Sequence, residues 1–228
     1  MMRKNIFIIL VIMFFSKTYS QKKIEGKYYK ESGSYIEINN DYFKIILPNS
    51  ASNGIYSEIR TEGRIQQIDN NFLELNSLKD PFIEATRNLE IIRKPDRELS
   101  NDSLKIKFFL PYTNGILRIT IYTEISKTFS FNYSKDNKEC TIPFIGGNIS
   151  FLIRPDYILP HTAEGLFYGI LEYNTLDFFL EKDINNIEVN IPTIDDSFFE
   201  KYYIKGDYAR IVNDSIIWKG EIYRKSDK

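Results

Sequence analysis

The sequence predicts an all-β protein: an N-terminal antiparallel meander, then a β-sandwich, with at most one or two short helices. Three observations carry that expectation. After residue 22 the apolar side chains recur with period two, the mark of strands that bury one face. Clusters of Asn, Asp and Gly interrupt the chain about every ten residues, the spacing of turns in a sandwich or barrel. Helical spacing of apolar residues is confined to one short stretch near residue 200.

Residues 1–20 have the three parts of a secretory leader. Arg3 and Lys4 supply the positive start, residues 6–15 form an apolar run, and Thr18 and Ser20 place small side chains before a cut ahead of Gln21. The run spans about ten residues, half of what a bilayer-crossing helix needs. No cysteine lies near the cut, so a lipid anchor has no attachment point. The expectation is an exported chain, periplasmic or secreted, with no transmembrane segment after cleavage.

Losing Arg3, Lys4 and Lys17 with that leader moves the formal charge from −1 to −4. The remaining charges are interspersed, without the basic patch that nucleic acid binding or a polybasic membrane anchor requires. Cys140 is the sole cysteine, so no internal disulfide can form and the hydrophobic core must hold the fold unaided. Its polar neighbourhood reads as an incidental small residue rather than a reactive thiol.

The first hairpin joins Ile36 and Ile38 to Phe43, Ile45 and Leu47 through the turn Asn39-Asn40-Asp41. A second joins residues 65–68 to 72–75 around Asp69-Asn70-Asn71. Asp80-Pro81 starts a short turn or a single helical turn, with Asp as the cap and Pro at the first position. Leu89 and Ile91 complete an inward row of Ile36, Ile38, Phe43, Ile45, Leu47, Leu73 and Leu75. That row is bulky and wholly apolar, which predicts a packed interior rather than a ligand pocket.

Residues 95–102 are polar and charged and contain Pro95, and read as a linker between domains. Beyond them Leu104, Ile106, Phe108 and Leu110 alternate with lysines, and similar rows follow at residues 117–121, 129–133, 149–153 and 187–191. Ser197 and Glu200 have capping-box spacing, with Phe198, Phe199, Tyr202 and Tyr203 on one helical face. Trp218 alternates with Ile216 and Ile222 in the last strand and reads as core. The division expected is a leader over 1–20, a first β domain over 22–94, a linker over 95–102 and a sandwich over 103–228.

Several of these residues carry a resemblance. Gly26-Lys27-Tyr28, a strand ending near Asn40-Asp41, Gly63 opening a strand, and Phe72-Leu73-Glu74-Leu75-Asn76-Ser77 resemble the small lipocalin-like domains of exported bacterial proteins. The resemblance covers residues 22–94, and Arg64-Ile65 stand where those domains carry a tryptophan. The later part is similar to transthyretin-like or immunoglobulin-like sandwiches. These resemblances imply a meander closing toward a barrel and supply no function, because such folds host many.

The search for chemistry is brief. His161 is the single histidine, so zinc constellations cannot be assembled within one chain. It could serve as a base beside Ser150 or Cys140, yet no Gly-x-Ser-x-Gly pattern occurs. Asp195-Asp196 could act as a carboxylate pair, although acids ahead of a capping box also favour a helix start. Tyr28, Tyr29 and Tyr35 could form a stacking platform. No motif calls for a cofactor or metal. The function expected is a non-catalytic binding module for an envelope protein or surface polymer, with Tyr28, Tyr29, Tyr35 and His161 as candidate binding residues. The alternatives are a carrier of a small apolar ligand in the barrel, and a hydrolase using His161 or Asp195 and Asp196.

Overall fold

The computed structural model describes residues 24–47, 59–124, 127–144, 146–156 and 172–226. The leader and His161 lie outside the described residues. In chain order come β1 (Gly26–Tyr29), β2 (Tyr35–Asn39), β3 (Tyr42–Ile46), β4 (Ile59–Gln67) and β5 (Phe72–Ser77). Helix α1 (Pro81–Arg87) leads to β6 (Glu90–Lys94), β7 (Ser103–Phe109), β8 (Leu117–Thr123), β9 (Thr128–Tyr133) and β10 (Glu139–Pro143). Then follow β11 (Gly147–Pro155), β12 (Tyr173–Asn174), β13 (Phe178–Leu180), β14 (Asn186–Asn190) and a 3-10 turn over Phe198–Glu200. The last strands are β15 (Lys205–Val212), β16 (Ser215–Trp218) and β17 (Glu221–Lys225).

The protein is all-β, as expected, and one sheet closes into an antiparallel barrel of order β1-β17-β16-β15-β5-β4-β3-β2. The expected hairpins and turns are present. Asn40 takes a positive φ between β2 and β3, a conformation Asn tolerates better than most residues. The Asp69 carboxylate accepts from the Asn71 and Phe72 amides to build the next turn. Asp80 caps α1 by accepting from the Phe82 and Ile83 amides, with Pro81 at the start.

The barrel is not confined to the N-terminal segment. Its last three strands come from the C-terminus, where the sequence reading placed sandwich. Everything between β5 and β15 is an insertion that leaves and re-enters the barrel at one point. Lys205 stands opposite Asn76 across the β5–β15 pair. The Ser77 amide donates to the Ile204 carbonyl at 2.8 Å, and the Ile204 amide to Ser77 Oγ at 2.9 Å. An insertion whose ends are neighbours disturbs its host little, which is why the barrel closes around it.

The inserted unit holds two sheets, of order β10-β7-β14-β6 and β12-β11-β8-β9, with β13 on β11. They share one core, where Phe108 of the first meets Phe151 of the second edge-on at 5.2 Å. The segment 95–102 therefore runs between two strands of one sheet, since β6 and β7 both pair with β14. Asn185 fastens it, accepting from the Asp96 amide and donating to the Asp96 and Leu99 carbonyls. Leu89 and Ile91, expected in the barrel row, pack against this second core instead. The helix expected after Ser197 is a single 3-10 turn: Ser197 makes no side-chain cap bond, and Phe198 and Phe199 sink into the inserted core.

The barrel interior is filled. Ile36, Phe43, Leu73, Ala209, Ile216 and Trp218 are all buried there. Gly63 faces this interior, and an added Cβ would collide with the Phe43 ring and the Asn76 carbonyl. Gly63→Ala is expected to cost about 1–3 kcal/mol, the usual penalty for overpacking a filled interior. A lower urea midpoint at unchanged m-value checks this; an unchanged midpoint would show room beside Phe43.

Candidate functional site

Strand alternation sends the three candidate tyrosines in different directions. Tyr28 points into the barrel, is buried, and its hydroxyl donates to the Ile24 carbonyl at 2.7 Å. Burial, with Asp214 nearby, raises its pKa. It belongs to the core and offers no ring to a ligand. Tyr29 and Tyr35 face outward, directly opposite each other on β1 and β2, with ring centroids 5.0 Å apart and planes inclined at 30°. Lys27 Nζ sits 5.3 Å above the Tyr35 ring, within cation–π range.

That pair is the end of a longer belt. Tyr29 stands opposite Arg224 of β17, and Ile222 shares the outward face of the same strand. Ile222 opposes Ile217, Ile217 opposes Arg210, and Arg210 opposes Phe72. Six adjacent strands thus present Tyr35, Tyr29, Arg224, Ile222 with Ile217, Arg210 and Phe72 to the outside. Ile222 is 47 % exposed, Phe72 40 % and Tyr29 38 %. Outward positions on a sheet are ordinarily polar, so this row departs from what solvation alone favours. The sequence reading found only its first two members and placed Ile222 in a core row with Ile216 and Trp218; the turn after Trp218 starts a new strand, so Ile222 faces outward instead. Ile217 was legible by parity, since Ile216 and Trp218 flank it and point inward; the belt was not, because it needs the β1–β17 closure.

A second feature lies where the inserted unit meets the barrel. A cleft of about 430 Å³ opens between β4, the end of β5, α1 and the returning segment at Lys201 and Tyr202. Beneath it Arg60 of the barrel makes a 2.8 Å ion pair with Glu200 of the inserted unit, both nearly fully buried. The same Nη1 reaches the Glu200 carbonyl at 3.3 Å, and the Tyr202 amide donates to the Arg60 carbonyl at 2.7 Å. A bulge aims this side chain: Ile45 opposes Thr61 and Ile46 opposes Ile59, leaving Arg60 as the extra residue. Re-aiming a side chain is what a bulge does to an otherwise alternating strand.

The remaining candidates do structural work. Asp196 accepts from the Thr113 amide and hydroxyl and from the Asn114 amide, at 2.5–2.8 Å. Burial opposes its ionisation, but these hydrogen bonds outweigh it and hold the carboxyl below its ordinary pKa. Asp195 accepts from the Ser197 amide and hydroxyl. Ser150 stands opposite Tyr122 between β11 and β8. Among the described residues no three His, Cys, Asp or Glu side chains are grouped to hold a metal ion. No helix among them is long and apolar enough to cross a membrane. In comparisons with family models, curated proteins and solved structures, the chain matches none.

Cys140 is half-buried, and burial, reinforced by Glu139, pushes its thiol up to about 11. Only the thiolate is nucleophilic, so at pH 8 the folded protein is expected to react with iodoacetamide at least tenfold more slowly than in urea. Reaction at the unfolded rate would contradict the burial of this side chain.

Proposed function

We propose that the protein is an exported, non-catalytic binding module that engages an envelope protein or surface polymer through the outer face of its barrel. The observation that carries this reading is the belt from Tyr35 to Phe72. Tyrosine and arginine are enriched among residues that dominate binding energy, and here they alternate with exposed isoleucine and phenylalanine on a rigid, closed sheet. Rigidity matters because a pre-organised face loses little conformational entropy on binding.

Other features support the same reading. The filled barrel interior weighs against a carrier, since a ligand site needs a cavity with a few placed polar groups. Asp195 and Asp196 are committed to turn and segment fastening, which weighs against a carboxylate pair free for hydrolysis. Residues 3–20 support export. The eight-strand antiparallel closed barrel is in keeping with the resemblance to lipocalin-like domains.

A photo-crosslinking residue placed at Ile222, in the cell that makes the protein, tests the proposal. A discrete adduct at this position, absent when the probe replaces exposed Arg97 on the inserted unit, is the expected result. Tyr29→Ala should weaken that association by about 2 kcal/mol, the scale of an interface hot spot. Equal labelling at both positions, or none at Ile222, would count against the belt as a binding face.

A further inference from the structure

The cleft at the junction is a separate feature from the outer belt, and its chemistry points to a small molecule. We infer that it binds a monocarboxylate with an aliphatic body. Its volume, about 430 Å³, falls in the range of small-molecule sites, which favour domain junctions.

The charge pattern selects the ligand's charge. The cleft is lined by Arg60, Lys79 and Lys201 and by Glu62 and Glu84. Glu62 is paired with Lys44 at 3.6 Å, Glu84 with Lys79 at 3.1 Å, and Glu200 with Arg60 at 2.8 Å. Among the described residues Lys201 makes no ion pair, so one cation is left over. The guanidinium of Arg60 supplies the second signal. It is 4 % exposed, Nη1 serves Glu200, and Nε is buried with no acceptor. A buried charged donor without an acceptor is costly. A single carboxylate, one oxygen toward Lys201 and one toward Arg60, answers both.

The walls select the rest of the ligand. Leu78 is 50 % exposed and Ile59 37 %, and Pro81 and Tyr202 also line the cleft. Covering these side chains is favourable in proportion to the apolar area removed from water. Bound there, the ligand would touch β4 and the β5 end on the barrel side, and α1 and Lys201 on the other.

Octanoate is the probe, with octanamide as its uncharged counterpart, titrated into the full chain and followed by NMR. The expected result is saturable one-to-one binding of octanoate, at least tenfold tighter than octanamide, with the Arg60 Nε–H signal among those that move. Leu78→Asp and Lys201→Glu alter solvent-accessible side chains, and each should weaken binding at least tenfold while the urea midpoint stays put. No saturation by about 10 mM octanoate, well beyond a millimolar dissociation constant, would overturn the inference. So would equal binding of octanamide, or affinity unchanged in both variants.

Discussion

The arrangement of the whole molecule turns on one buried ion pair. Arg60 belongs to the barrel and Glu200 to the unit inserted into it, and they lie 140 residues apart in sequence. Both charges have left water, a cost that is recovered only when geometry is good and further hydrogen bonds are made. Here the second contact to the Glu200 carbonyl and the Tyr202-to-Arg60 backbone bond supply part of that. The bulge in β4 is what turns Arg60 toward Glu200. Without the extra residue, Arg60 would lie on the outward parity of β4 and meet solvent.

Around that pair the connection is short and hydrogen-bonded. Ser77, Asn76 and Ile204 bind the two crossing segments to each other, so the insertion has little freedom where it joins. The topology carries a kinetic consequence. The barrel cannot close until strands at the two ends of the chain meet, and non-local pairing of this kind slows folding. The inserted unit closes over shorter spans: β8 pairs with β9 and β11, and β7 with β10, while β14 reaches back to β6 and β7.

Sequence reading reached the elements and missed their assembly, and the reason is physical. Alternation and turn chemistry are local, so the hairpins at Asn40 and Asp69, the Asp80 cap and the inward Trp218 were all legible. Which sheet a strand joins depends on contacts far along the chain. Leu89 and Ile91 have the same pattern whether they face one core or the other, and β15 to β17 look like any sandwich strands. The capping-box spacing of Ser197 and Glu200 was misleading for a related reason: Arg60 takes the Glu200 carboxylate and burial of Phe198 and Phe199 bends the chain after one turn. Likewise Tyr28 and Tyr29 are adjacent in sequence, and only register decides that one is core and the other surface. Arg60 itself gave no signal, since nothing in Ile59-Arg60-Thr61-Glu62 marks a buried charge.

Separate unfolding of the two units is the direct test of the Arg60–Glu200 latch. Trp218, the only tryptophan, lies in the barrel core, and half-buried Cys140 packs on the core of the inserted unit. Tryptophan fluorescence and Cys140 labelling therefore follow the two halves independently along one urea titration. In the native protein the two transitions should coincide. In Arg60→Ala, which removes the cation from a buried ion pair at a cost of about 3–5 kcal/mol, the barrel transition should move to lower urea and separate from that of Cys140. Coincident transitions at an unshifted midpoint in the variant would contradict the claim that this pair holds the two units together.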